Sequence, residues 1–161
     1  MVKISNFING LAVPVSGKAT IDVLDPSTGK FIFQLPLSRS TDVDAAVVAA
    51  NAAYASWRLL SMKRKASIIL KLSVLVESYS NELAALISLE SGKNLQEALN
   101  DVSKAVEMLE WAVNLPQFAM GSQYELTRDV PCEETRQAIG VVAAILPFSS
   151  LGKSTLTYFF R

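Results

Sequence analysis

The chain has 161 residues, enough for one domain with a sizeable core, and half of them are hydrophobic while 19% are charged. Fifteen basic and fifteen acidic residues cancel, and no stretch concentrates either sign, so we expect neither nucleic acid nor an anionic membrane surface as a partner. A mean hydropathy of +0.30 is high for an independent domain and predicts apolar faces that need partners.

Two features of the composition limit the chemistry and the location. A single cysteine, Cys132, excludes an internal disulfide, and the absence of histidine removes the commonest metal ligand and general base, so we predict no metal site. The longest nearly apolar stretch, Ala138 to Leu151, is shorter than the roughly 20 residues that span a bilayer. Met1 to Ser5 has neither a secretory nor a transit pattern. We therefore expect a cytoplasmic protein without a membrane segment.

The first part of the chain, residues 1–37, is predicted to be a β ribbon. Asn9-Gly10 is typical of a tight hairpin turn. Ile21 to Leu24 alternates in hydrophobicity, the residues Asp25 to Gly29 favour a turn, and Phe31 to Phe33 resumes extended structure.

Residues 41–116 carry the period of α-helices. The first helix begins at Thr41, and Asp44 three residues later resembles the second half of a capping box. The second helix, about Lys63 to Ser78, is so apolar that we expect it to be buried on most of its circumference.

Two further helices follow. The third is predicted over Asn81 to Glu90, and Gly92 is placed to end it in a left-handed cap. The fourth should run from about Leu95 to Leu115. Its outer face carries charges, and because Asp101 and Lys104 are three residues apart, we expect them to pair on a solvated face rather than form an acidic active site.

Residues 122–138 are predicted to form a projecting β hairpin, since Tyr124 to Arg128 alternates with period two and a second extended piece follows Pro131-Cys132. Cys132 is flanked by carboxylates, which disfavour a reactive thiolate. We interpret it as a passive residue of the hairpin.

Residues 139–148 contain the run that points most directly to a binding site. Ile139 to Leu146 is uninterrupted, apolar and rich in β-branched residues, which predicts the first buried strand of a parallel α/β sheet. Ligands bind such sheets just past the carboxyl end of a strand, here Pro147 to Leu151. Residues 149–161 are expected to be a divergent tail.

That tail contains Gly152-Lys153-Ser154, the ending of a phosphate-binding P-loop. The motif also needs a glycine five residues before Gly152, and that position holds Pro147. Proline supplies no N–H group to a phosphate. We therefore reject a P-loop here.

Three phrases, in this order and at compatible spacing, resemble the aldehyde dehydrogenase family. The resemblance covers about Phe7 to Phe148 and only the amino-terminal part of the family's architecture. The dipeptide Pro147-Phe148 resembles the corresponding residues of the semialdehyde dehydrogenases, among them the methylmalonate-semialdehyde type. The phrases are Val23 to Lys30 leading into Asp42 to Ala50, then Glu90 to Ala98, then Gly140 to Phe148.

The resemblance implies an α/β fold, namely the amino-terminal portion of a Rossmann-type NAD-binding domain, helix-rich, with a projecting hairpin used in oligomerisation. It implies NAD as cofactor, with NADP equally open, and an aldehyde as substrate. By the resemblance, Leu146 contacts the cofactor through its backbone carbonyl and Phe148 through an apolar wall.

The resemblance also implies that the chain is catalytically incomplete. Cys132 does not match the family's nucleophile motif, and Ser149 stands where the family has an asparagine that donates to the oxyanion. We therefore predict no catalytic residue in the chain. The hypothesis is an amino-terminal fragment of an NAD(P)-dependent aldehyde or semialdehyde dehydrogenase, which in the intact family oxidises an aldehyde to an acid or acyl thioester. The alternative is a truncated, non-catalytic relative that forms homo-oligomers or docks onto full-length subunits.

Overall fold

The structure, a computed structural model, describes residues 4–146. Within that range six strands form three separate two-stranded antiparallel sheets, and most of the remaining residues lie in five helices. The strands are β1 (Asn6–Ile8), β2 (Leu11–Val13), β3 (Thr20–Leu24), β4 (Phe31–Pro36), β5 (Gln123–Thr127) and β6 (Val130–Glu133). The helices are α1 (Ser40–Trp57), α2 (Met62–Ser78), α3 (Ser80–Ser91), α4 (Leu95–Val113) and α5 (Leu115–Phe118).

The ribbon at the start consists of two hairpins. Between β1 and β2, Asn9 and Gly10 both have positive φ, 53° and 77°, as the predicted tight turn requires. Between β3 and β4, the Asp25 carboxylate accepts hydrogen bonds from the Ser27 N–H and the Thr28 hydroxyl, at 2.8 and 2.7 Å. Both bonds lie within the turn itself.

Helix α1 is tied to the ribbon side of the chain by Asp42 rather than Asp44. The Asp42 carboxylate accepts from the Arg39 N–H and the Ser16 hydroxyl, both at 2.8 Å. These two bonds, the Arg39 one first, lower the pKa of Asp42. The predicted capping box of Thr41 with Asp44 is wrong. The helix begins one residue earlier, at Ser40, so that Asp42 is the third helical residue.

The core of the described residues lies where α4 packs against α2 and α3. One cluster joins Ile69 of α2 to Leu109 and Ala112 of α4. A second cluster joins α3 to α4 and consists of Ala84, Ile87, Ala98 and Val102. Leu109 is the largest side chain with no exposed surface, so it marks the centre of the α2–α4 contact.

Helix α2 is far more exposed than its sequence predicts. Only Ala66, Ile69 and Ser73 are buried. The expectation of burial on most of the circumference is wrong for the described residues, because α2 packs mainly against α4 and α5 and has no such partner on its other sides. Its exposed apolar side chains are Met62, Ile68, Leu70, Leu72, Val74 and Leu75.

The run Ile139 to Leu146 forms no strand and is largely exposed. The physical reason is that no described strand lies beside it to pair with its backbone. Its approach is held by one bond, from the Tyr54 hydroxyl of α1 to the carbonyl of Ala138 at 3.2 Å. That the run becomes a sheet strand within a longer protein stays a prediction.

The charged side chains on the outer face of α4 form ion pairs that differ from the predicted one. Asp101 pairs with Lys93, which precedes the helix, and Lys104 pairs with Glu107. The expected pair of Asp101 with Lys104 is wrong because the turn at Gly92 brings Lys93 back beside the first turns of α4. Both pairs are local; the Lys104–Glu107 pair is exposed to solvent, whereas the Lys93–Asp101 pair is partly buried.

Helix α3 ends as predicted, and α4 is shorter than predicted. Gly92 caps α3 in the left-handed conformation. Helix α4 ends at Val113, two residues before the expected Leu115, and Pro116 lies in the first turn of α5 instead of closing α4. Proline is compatible with this position because the first N–H groups of a helix have no intrahelical partner.

Leu109→Ala should lower the free energy of unfolding by about 2–5 kcal/mol, because it leaves a cavity in the fully buried α2–α4 contact. The matched control is Leu70→Ala on α2, whose side chain is 51% exposed and which should cost about 1 kcal/mol or less. Urea unfolding followed by circular dichroism measures both. Equal losses for the two variants would contradict the position of the core.

Gly92→Ala should destabilise the chain more than Gly29→Ala does. Both glycines have left-handed backbones, with φ of 73° and 70°, so each alanine costs about 1 kcal/mol for that conformation. Only at Gly92 would the new Cβ also lie 2.9 Å from Cγ of Pro26, whereas nothing lies within 4 Å of the one at Gly29. The same urea experiment separates the effect of the Pro26 contact from that of the backbone conformation. Identical losses of unfolding free energy in the two variants would refute a role for the contact.

Candidate functional site

The predicted cofactor residues lie at the end of the described part of the chain. Leu146 is half-buried and closes the exposed run that starts at Ile139. Phe148 and Ser149 lie outside the described residues, as does the rejected P-loop ending at Gly152 to Ser154. The cofactor contacts at Leu146 and Phe148 therefore stay predictions.

A dinucleotide does not fit the described residues by themselves. A Rossmann site needs a paired strand followed by a helix whose first N–H groups bind the pyrophosphate. Ile139 to Leu146 is unpaired. Three surface cavities of the described residues lie elsewhere: one of about 430 Å³ at the base of the β5–β6 hairpin, one of about 330 Å³ between α2, α3 and α4, and one of about 230 Å³ between β1 and α1.

The thiol of Cys132 lies in the hairpin, on β6, directly opposite Tyr124 on β5. It is half-buried and is not in a disulfide. A hydrogen bond with the Cys132 side chain, which favours the protonated phenol, raises the pKa of Tyr124, and desolvation adds to this shift. A neutral phenol is neither a base for the thiol nor a cation that would stabilise a thiolate.

No described group of side chains forms a metal or acidic centre. Within residues 4–146, no three histidine, cysteine or acidic residues lie close enough together to hold an ion. Two of the four acidic side chains on α4 are engaged with cations, in the Lys93–Asp101 and Lys104–Glu107 pairs. None of the described helices combines the length and the apolarity of a transmembrane span.

The phrase Glu90 to Ala98, which carries part of the resemblance, forms a joint between two helices. Gly92 ends α3, and the Asn94 side chain caps α4 by accepting from the Glu97 N–H at 2.8 Å. The Ser88 hydroxyl donates to the Lys93 carbonyl at 2.7 Å. The sequence predicted the cap at Gly92. The Asn94 cap was missed, although Asn followed three residues later by Glu is a local N-cap signal, and the Ser88–Lys93 bond has no such signal. The phrase therefore has a structural role that needs no ligand.

Gly92 also touches the other phrase of the resemblance, the turn that begins at Asp25. A Cβ at Gly92 would meet the ring of Pro26 and the hydroxyl of Ser27. Two phrases 65 residues apart in the chain thus form one contact between the ribbon and the helices. Of the third phrase, the described residues Gly140 to Leu146 belong to the exposed run.

Comparison with known proteins agrees with this arrangement. A family model described as the aldehyde dehydrogenase family matches residues 13–150. Malonate-semialdehyde dehydrogenase 1 of Shouchella clausii (strain KSM-K16) is 38% identical over 148 residues, which are 91% of this chain and 30% of that protein. The chain therefore spans about a third of the length of the curated relatives it matches.

Solved structures show the same relation. A crystal structure of a proposed methylmalonate-semialdehyde dehydrogenase from Sinorhizobium meliloti 1021, complexed with NAD, superimposes with a TM-score of 0.91 and 27% identity, covering 97% of this chain and 32% of the other. An NADP-dependent enzyme of E. coli gives a TM-score of 0.73 and 29% identity over 79% of this chain and 26% of the other. With its helix-rich fold, its β ribbon and its hairpin, the chain belongs to the aldehyde dehydrogenase family and corresponds to its amino-terminal part.

Proposed function

We propose that this chain forms the amino-terminal part of the cofactor-binding domain of a semialdehyde dehydrogenase and does not catalyse by itself. The observation that carries the proposal is the 38% identity to a malonate-semialdehyde dehydrogenase over a span that is only 30% of that relative. Its substrate class would be a short aldehyde that also carries a carboxylate. A cytoplasmic location is part of the same proposal.

The proposed cofactor is NAD, with NADP as the other candidate. Support for NAD comes from the S. meliloti relative, whose structure contains it, while the E. coli relative is NADP-dependent. When bound, the nicotinamide accepts hydride from the substrate. Within this chain, Leu146 and Phe148 would border the cofactor. The bond from Tyr54 to the Ala138 carbonyl would fix where the segment leading to them leaves α1.

The described residues do not provide the groups that oxidise an aldehyde. That reaction needs an activated thiolate, donors for an oxyanion and a base for deacylation. The thiol of Cys132 lies against a phenol whose raised pKa keeps it neutral. It also lies on an exposed hairpin rather than at the end of the run that leads to Leu146. Catalysis would therefore depend on residues of the family that this chain does not match.

A second candidate function is oligomerisation through the β5–β6 hairpin, by itself or with full-length subunits. The observation that favours it is the exposed apolar side chains of the hairpin, namely Tyr124, Leu126 and Val130. Exposed apolar groups on a projecting element are characteristic of interaction sites. This role is compatible with the absence of catalysis by the chain alone.

The purified chain should form no reduced nicotinamide from malonate semialdehyde with NAD or with NADP, and Cys132→Ala should change nothing. Full-length malonate-semialdehyde dehydrogenase of S. clausii serves as the positive control under the same conditions. The measurement is the absorbance of reduced nicotinamide over time. A rate that Cys132→Ala abolishes would show both that the chain is catalytically sufficient and that Cys132 is its nucleophile.

Cys132→Ala should also lower the pKa of Tyr124 towards the ordinary value of tyrosine, because it removes the hydrogen bond that raises it. Since the folded pKa is raised, this bond contributes stability below the ordinary tyrosine value of about 10 and loses it as pH rises through the folded pKa. Cys132→Ser, which keeps a hydrogen-bonding group, is the matched control.

The measurement is a tyrosinate absorbance titration, with each variant compared to its Tyr124→Phe counterpart to isolate one of the four tyrosines. A Tyr124 titration that is the same in the chain and in Cys132→Ala would contradict a passive, hydrogen-bonded role for the thiol.

A further inference from the structure

We infer that the connection between α1 and α2 binds a small molecule that carries two or more phosphate groups. The connection and the first turn of α2, residues 58–65, are called the basic segment here because they contain four cationic side chains, namely Arg58, Lys63, Arg64 and Lys65. No acidic residue occurs anywhere in residues 45–76. The charges that cancel over the whole chain do not cancel here, so the expectation that no stretch concentrates either sign is wrong for this segment.

The four cations have no acidic partner in the part of the chain that the structure describes. The ion pairs found there all lie after residue 92. Arg58, Lys63 and Arg64 are exposed, whereas Lys65 is half-buried, with its ammonium group 5.9 Å from the centre of the Trp57 ring. This cation–π contact joins the start of α2 to the end of α1. The positive charge of the basic segment is therefore not neutralised by the protein.

The stability of the fold does not account for three of these cations. Lys63, Arg64 and Lys65 lie in the first turn of α2, which contains no acidic residue. The partial positive charge at the start of a helix favours anions and disfavours cations. Arg58 differs, because it follows the last residue of α1, where a cation is favourable. The three cations of α2 therefore fit a role in binding better than a role in folding.

The accessibility of these cations has a different meaning from that of an exposed apolar side chain. Exposed apolar groups can indicate an element that is missing from the structure, whereas lysine and arginine are almost never fully buried unless they are paired. Burial of an unpaired charge is strongly unfavourable. The exposure of Lys63 and Arg64 is therefore expected of surface residues in a chain of any length.

Phosphate groups fit this arrangement better than other anions do. Arginine binds phosphate through two parallel N–H groups, and lysine binds it as a compact positive charge. Four cations within eight residues match a ligand with several negative charges, whereas a single carboxylate would leave most of them unpaired.

The ligand must also be small. Outside the basic segment the chain has eleven basic and fifteen acidic residues. A nucleic acid or an anionic membrane would extend beyond the segment onto this acidic remainder and be repelled by it. A soluble molecule with a short chain of phosphates would contact only the segment.

Inorganic tripolyphosphate is the probe, and Lys63→Gln combined with Arg64→Gln is the test variant. The matched control is Lys18→Gln combined with Lys30→Gln, which removes the same charge from two exposed lysines of the ribbon. Calorimetric titration at low ionic strength should show saturable binding to the unmodified chain. The test variant should raise the dissociation constant roughly tenfold or more, because two charge-assisted contacts are lost. The control variant should leave the dissociation constant nearly unchanged.

Two further measurements locate the site and check the fold. Tripolyphosphate should shift the backbone amide resonances of residues 58–65 in nuclear magnetic resonance spectra. Urea unfolding should show that the test variant is at least as stable as the unmodified chain, because it removes cations from the first turn of α2.

The inference is overturned if the unmodified chain shows no saturable binding of tripolyphosphate or if the two double variants weaken binding equally. Resonance shifts centred outside residues 58–65 would also overturn it. So would binding to vesicles that contain anionic lipid without any binding of tripolyphosphate. The experiment measures binding of an inorganic anion, so none of its outcomes depends on the proposed dehydrogenase role.

Discussion

The packing of helix α4 against α2 and α3 is the interaction on which the rest of the described structure depends. The buried residues of α4 recur at alternating intervals of four and three, and three of the five are alanines. Small side chains let helix axes approach closely, so that Leu109 fills the one larger space against Ile69. Because α4 contacts α2, α3 and α5, it organises every described helix except α1.

The ribbon contacts the helices at Gly92. In this contact the backbone conformation matters more than the apolar area that is buried. Gly92 can turn in the left-handed region and approach Pro26 because it has no Cβ. On the far side of the turn, Lys93 pairs with the partly buried Asp101. Two phrases typical of aldehyde dehydrogenases therefore meet at one point and serve the architecture.

The sequence predicted those parts of the fold that depend on neighbouring residues. Turns at Asn9-Gly10 and Gly92 follow from local backbone preferences, and the helices follow from their period. Asp42 rather than Asp44 is the capping side chain because the helix begins one residue earlier than predicted and because Ser16, 26 residues away, donates to Asp42. Of the candidate site, Leu146 could be placed at the end of its run, but its partners could not, since a strand is completed only by other strands.

The same distinction explains why α2 and the run Ile139 to Leu146 are both exposed. The hydrophobic pattern of a segment indicates how much of its surface must be buried, but not which other element buries it. The exposed apolar side chains on α2 and in the unpaired run therefore need to be buried, and α3, α4 and α5 do not meet this requirement. Relatives about three times as long have additional chain with which to meet it.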